Sequence, residues 1–479
     1  MRTIVVTFIV SLLVLLPLAG CDLIDPSNVE NPDITEDAAL QNPNPLQSWV
    51  TGLERQLAVA LSNTTLVVSE LATDNYVNTQ TFFNQNVDDL VFDFRDDDID
   101  DTFFTFNDLR ESAEFGLTDV AEADDNPRPQ DLAELDFFRG YGHLGLGEYF
   151  HAAPLDGGEA PATSADHFQA AIEAFQAAID RGAGQTTAYQ MGLARAYYNA
   201  GDIANATAAA QQVLDADPTF VRMADFDNQN TSDADNNEMQ DALYDRGTFD
   251  DLQPLPRLDF LDPKYALISA SEEAPVAILK AEEAHLILIE AALAQNDLPA
   301  AQDEMKELID LVDERPLRTT DETIEGRTED DPGSRPDTTA ALVAASPDDD
   351  LRAGLVLNRT ETTDVPSISG TSVTDAIVDD IDSADEAWEI LYLLRQEIFI
   401  AEGRRMVDFG IKFPLPENES LANPNVSEGP ATQPIVPGFI DGQPLDDFTY
   451  DRDTFEAVID VNMNRVLAQN RTSVSPFLQ

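Results

Sequence analysis

One cysteine, four lysines, four histidines and two tryptophans in 479 residues deny this chain several kinds of chemistry. The lone cysteine, Cys21, permits no intrachain disulfide and no cysteine-based metal site. His143, His151, His167 and His285 show no zinc spacing such as His-Glu-x-x-His. Neither a P-loop nor a nucleophile elbow occurs, and no carboxylate pair is marked out by its surroundings for acid–base work. Positive charge is scarce. Against 27 Lys and Arg stand 91 Asp and Glu, a formal net charge of −64, which excludes nucleic acid as a partner. Lys264, Lys280, Lys306 and Lys412 are the only lysines. So acidic a surface repels itself in dilute buffer and is relieved by salt, the pattern of a halophilic protein. Disorder is excluded as an explanation, because 43% of residues are hydrophobic and fall in periodic blocks.

What is present begins at the amino terminus. Arg2, an apolar run from Ile4 to Leu16 and Leu18-Ala19-Gly20-Cys21 describe a signal peptide over 1–20 that ends in a lipobox. Cys21 is then the lipidated first residue of the mature chain, and the proline-containing stretch 21–45 its tether to the membrane. No other apolar stretch approaches spanning length, so the rest, 46–479, is expected to be one mostly helical domain.

Helical periodicity runs from Leu46 to Ala72, Thr102 to Glu122 and Asp131 to Phe150. Two stretches then carry tetratricopeptide-like spacing, about 166–218 and 277–312. In the first, Leu193, Ala194, Tyr197, Gly201, Ala206 and Pro218 take the repeat positions; in the second, Leu288, Ile289, Ala292, Asn296-Asp297 and Ala301 do. Small residues let paired helices approach, and Gly201 and Asn296 suit a left-handed turn. Residues 314–383 form an acidic, irregular insertion with a strand-like piece at Leu355-Val356-Leu357, and one long helix is expected from Ser383 to Phe409. The proline-rich remainder, 413–479, reads as loop until an amphipathic stretch from Thr454 to Ala468.

Two motif matches fail on context. Gly140-Tyr141-Gly142-His143-Leu144-Gly145 spells a dinucleotide fingerprint but lies in a helical pattern with no strand before it. The acidic runs Asp96–Asp101 and Asp227–Glu238 lack the glycine a calcium loop needs at its sixth position, where Asp101 and Ser232 stand. No metal and no cofactor is expected. The candidate ligand contacts are Asn75, Tyr76, Phe82, Phe83 and Asn84, where aromatic faces lie among amides, the pairing that sugars and peptides bind.

Four pieces, in order along the chain, resemble the SusD/RagB family of outer-membrane nutrient-binding lipoproteins. They are the lipobox with Asn31-Pro32-Asp33-Ile34-Thr35-Glu36-Asp37, the segment Phe137-Phe138-Arg139-Gly140 to Pro154-Leu155, the segment Ala281-Glu282-Glu283-Ala284 to Ala292, and the box from Leu394-Arg395-Gln396-Glu397 through Glu402-Gly403-Arg404-Arg405 to Asp408-Phe409. The resemblance implies four tetratricopeptide-like units overlaid by an irregular, loop-rich second half. It implies a partner, a TonB-dependent transporter of the SusC type, and an oligosaccharide ligand, with a peptide as the alternative. It places the chain at the outer membrane, lipid-anchored and facing the exterior, with no enzymatic activity. The Glu402-Gly403-Arg404-Arg405 box is expected to be structural, its charges tied to neighbouring helices. The competing function is a helical-repeat scaffold that holds other envelope proteins.

Overall fold

The computed structural model describes residues 40, 44–62, 64–79, 84–226, 237–245, 252–265, 273–321 and 334–479. The signal peptide, Cys21 and most of the tether lie outside these residues, as do Phe82, Phe83 and most of the Asp227–Glu238 run.

The principal helices are α1 Pro45–Ser62, α2 Thr65–Leu71, α3 Asp97–Phe115, α4 Pro129–Tyr149, α5 Ser164–Asp180, α6 Thr186–Asn199, α7 Ile203–Ala216, α8 Ala281–Ala294, α9 Leu298–Asp313, α10 Ala384–Ile398, α11 Arg405–Phe409 and α12 Met463–Gln469. Pairs α1–α3, α4–α5, α6–α7 and α8–α9 each pack together, and each pair packs on the next. Four stacked helix pairs result, as the resemblance implied. The α6–α7 and α8–α9 turns use Gly201 at φ +73° and Asn296 at φ +59°, the two residues the spacing marked for left-handed backbone. Ala194, Ala206 and Ala301 are fully buried between the paired helices.

The false dinucleotide motif lies in the middle of α4, and its glycines are packing devices. A Cβ on Gly142 or Gly145 would stand 2.9 Å or less from α3 atoms, including the Phe106 ring. One on Gly140 or Gly147 would strike Phe175 or Phe168 of α5 at 2.9 Å or less. Alternating sides in this way, the four glycines let α4 press against both neighbours with phenyl rings laid on its backbone. The acidic run before α3 is likewise local structure: the Asp96 side chain accepts from the backbone N–H groups of Asp98 and Ile99, and Asp97, Asp98 and Asp100 occupy the first turn, where the helix dipole favours negative charge.

Strands are short. They are β1 Tyr76–Asn78, β2 Ala152–Pro154, β3 Pro161–Thr163, β4 Val221–Ala224, β5 Leu252–Pro254, β6 Val276–Lys280, β7 Leu317–Asp321, β8 Leu342–Ala344, β9 Thr362–Pro366, β10 Phe448–Asp451 and β11 Glu456–Ile459. Antiparallel pairs are β1–β5, β2–β3, β4–β6, β7–β9 and β10–β11, and β11 also pairs with β8 in parallel.

Three expectations need correcting. Residues 314–383 contain the ordered β7–β9 ladder, while Leu355 and Val356 are buried outside any strand. The amphipathic stretch from Thr454 to Ala468, set apart from the loop before it, is the strand β11 followed by α12, and β10 lies within the part read as loop. The helix from Ser383 to Phe409 is broken after Ile398, where Ala401 and Gly403 turn at φ +58° and +70°. Buried groups hold that break open: Lys280 Nζ donates to the Ile398 carbonyl at 2.7 Å, Lys264 Nζ to that of Ile400 at 3.2 Å and the Tyr265 hydroxyl to that of Ala401 at 3.0 Å. The Ile398, Ile400 and Ala401 carbonyls thus find donors from elsewhere, and the Phe399 carbonyl accepts from the Glu402 N–H.

Candidate ligand-binding face

The charged box around this break fastens the second half to the helical stack. Glu402 pairs with Lys264 and Lys280. Arg404 pairs with Glu283 of α8 at 3.0 Å and lies 3.6 Å from Glu148 of α4; Arg405 pairs with Asp74 at 2.7 Å. Arg395 Nε donates to Asp408 at 2.7 Å, and Arg195 of α6 grips Glu283 through two bonds of 2.6 Å. Burial alone would raise the Glu283 carboxyl, but Arg195 and Arg404 outweigh it and hold it at about 2. Every member is buried, so the box is structural, as expected.

Asn75 and Tyr76 belong to the same interior. Both are fully buried. The Asn75 amide donates to Glu70 at 2.7 Å and accepts from Gln396 at 3.1 Å, and Tyr76 opens β1. Neither can touch a ligand, which corrects the sequence expectation: these residues close the seam between α2 and α10. Asn84 is half-buried at φ +54° and starts a one-turn helix, Gln85–Asp88, whose Asp88 accepts from the Asn78 N–H at 3.3 Å.

Through β1 the candidate segment joins a surface that sequence reasoning missed. β1 pairs with β5; the Arg335 guanidinium bonds the Pro254 carbonyl of β5 and lies 4.9 Å from the centre of the Phe448 ring on β10. Phe448 and Tyr450 project from one face of β10, opposite Ile459 and Ala457, and both are half-buried at the margin of the core. In the turn that follows, Asp451 Oδ1 accepts from the N–H groups of Asp453 and Thr454, and Phe455 O accepts from the Leu342 N–H. Phe455 is 42% exposed and sits at φ +58°. Glycine or asparagine is usual at such a turn position, and a bulky residue there costs about 1–2 kcal/mol. Such a conformation persists only where the surrounding turn over-determines it.

Polar groups flank these rings. Asp446 is pushed up to about 6 by burial, with Asp447 adding to the rise and Arg335 opposing it. Burial also raises the Tyr450 hydroxyl, with Asp337 next in effect. Three aromatic residues beside Asp337, Asp446 and Asp451 supply apolar faces for stacking and carboxylates that accept from hydroxyl groups, a chemistry suited to sugar rings. The signal for the hairpin was the Phe448-Thr449-Tyr450 alternation before a turn-forming Asp451-Arg452-Asp453-Thr454. Among the described residues no group of three or more His, Cys, Asp and Glu could hold a metal ion.

No protein-family model and no curated protein sequence matches the chain. Solved structures do. The chain is similar to a SusD superfamily protein from Bacteroides fragilis, with 14% identity and a TM-score of 0.52 over 81% of this chain and 99% of that one. It is similar to a SusD superfamily protein from Bacteroides vulgatus, with 12% identity and a TM-score of 0.50 over 81% and 98%. A third, described as a SusD-like carbohydrate binding protein from Bacteroides vulgatus, gives 11% identity and 0.50 over 76% and 82%.

Proposed function

We propose that this chain, whose fold is SusD-like, captures an oligosaccharide at the cell surface and delivers it to a TonB-dependent outer-membrane transporter of the SusC type. The observation that carries the proposal is the β10–β11 hairpin, where Phe455 is exposed in the turn, Phe448 and Tyr450 are half-buried on β10, and the half-buried Asp446 and the exposed Asp337 and Asp451 supply carboxylates. One relative in fold is described as a carbohydrate binding protein, which agrees with it.

The anchor completes the proposal. Its support is the Leu18-Ala19-Gly20-Cys21 lipobox, which would attach the chain to the membrane through acyl groups on Cys21. Isolation of the protein from native membranes tests the assignment. Palmitate label should enter the wild type and be lost in Cys21→Ser, and a large β-barrel protein should co-purify with the labelled form. Label in both forms, or a wild-type preparation without a barrel, would contradict it.

A further inference from the structure

A small cavity lies inside the charged box. Tyr141 and Glu148 of α4, Arg195 of α6, Ala277 of β6, and Glu402 and Arg404 after α10 are among the residues that line it. None of these six is more than 7% exposed, so a group held there meets protein on every side. About 10 Å³ is open to the centre of a water-sized sphere, which is the room that one water molecule needs.

Around this cavity the direct hydrogen bonds stop short. Arg404 spends Nη1 on Glu283 at 3.0 Å, but its Nη2 stands 3.6 Å from Glu148 Oε1, too long for a hydrogen bond. A polar contact of that length is one that a water molecule commonly completes. Glu402 receives both Lys264 and Lys280 on the single oxygen Oε1. Arg195 commits Nε and Nη2 to Glu283 and the Ile278 carbonyl. The Tyr141 hydroxyl sits beside Arg195, whose charge and N–H oppose the rise that burial gives it. Buried ion pairs repay their desolvation only when the remaining donors and acceptors are also met.

The occupant of the cavity must therefore do two things. It must accept from guanidinium groups and donate to carboxylates. A halide accepts but has no hydrogen to give, and a metal cation does neither beside two arginines. Water does both, and its size fits.

We propose that the cavity is a binding site for one ordered water molecule, which accepts from Arg404 Nη2, donates to Glu148 and has the Tyr141 hydroxyl as its third partner. The water ties α4 to the turn after α10 at the point where no direct bond does, and so belongs to the fastening of the two halves. Diffraction to high resolution from crystals of the unaltered mature chain tests this, with one set grown in NaCl and another in NaBr. The expected result is a single spherical peak in the cavity, about 2.7–3.2 Å from Arg404 Nη2 and from a Glu148 oxygen, the same in both salts and without bromine anomalous signal. An anomalous peak at that position would assign the cavity to a halide and overturn the proposal. A cavity without density in both salts, or Arg404 Nη2 bonded directly to Glu148, would overturn it as well.

Discussion

At His143 and His167 the hydrogen-bond partners dictate where the protons are. Nε2 of His167 lies 3.0 Å from the Ala153 carbonyl, which only accepts, so that nitrogen carries the hydrogen. Its Nδ1 is therefore bare and faces Nδ1 of His143 at 3.2 Å, which must donate. Burial holds both rings below the ordinary histidine range, and each would repel the other's charge. Imidazole NMR should find His143 as the Nδ1–H tautomer and His167 as Nε2–H, with neither titrating near pH 6.5; two Nε2–H rings would contradict the geometry. Because both folded values lie below the unfolded one, the unfolded chain binds protons first. The stability this pair contributes is complete above about pH 6.5 and declines as pH falls below it. Glu283 behaves similarly in a lower window: held at about 2 against an ordinary 4.5, it stabilises fully above pH 4.5 and loses that contribution as pH falls toward 2. Glu283→Gln would strand Arg195 and Arg404 without their anion and should cost about 3–5 kcal/mol in chemical denaturation at pH 7. A loss under 1 kcal/mol would show that the box does not hold the halves together. Sequence alone marked Glu402, Arg404 and Arg405 as structural, but their partners stand at Lys280, Glu283 and Asp74, too far along the chain for spacing to reveal. The same distance hid the burial of Asn75 and Tyr76, whose polar neighbours in sequence suggested an exposed site.

Among the elements, the same substitution should have opposite signs at two helical glycines. Gly145→Ala places a methyl 2.4 Å from the Phe106 ring and should destabilise by about 1–3 kcal/mol as α3 and α4 are forced apart. Gly52→Ala meets nothing and should stabilise α1 by up to about 1 kcal/mol. Thermal midpoints of the two variants decide; a midpoint that holds or rises in Gly145→Ala would refute the packing account of α4. The helix pairs themselves were legible, because apolar periodicity and the turn residues Gly201 and Asn296 act locally. The β10–β11 hairpin was not: Phe455, Val458 and Ile459 fall at helical spacing, and only the pairing of Tyr450 with Ala457 across the turn makes the segment a strand. The break after Ile398 was hidden for a related reason, since the lysines that cap its carbonyls come from β6 and from residue 264.

For the whole molecule, much of the scarce positive charge is interior. Lys264, Lys280, Arg195, Arg222, Arg395, Arg404 and Arg405 are buried and paired with interior carboxylates, and Arg110 is buried against the more exposed Glu111 and Asp156, which thins the positive charge left on the surface. Salt screens exposed repulsion far more than it weakens buried pairs. The thermal midpoint should therefore climb from dilute buffer to molar NaCl, and a midpoint that is flat or falls would contradict a salt-adapted surface.

Binding of sugar is the central claim, and calorimetric titration of the mature chain with neutral oligosaccharides, carried out in molar salt, tests it most directly. The account predicts saturable binding that Phe455→Ala weakens by about 1 kcal/mol or more while the thermal midpoint holds, since the ring is exposed and supports no core. Affinity unchanged in Phe455→Ala, or no heat from any neutral oligosaccharide, would contradict it.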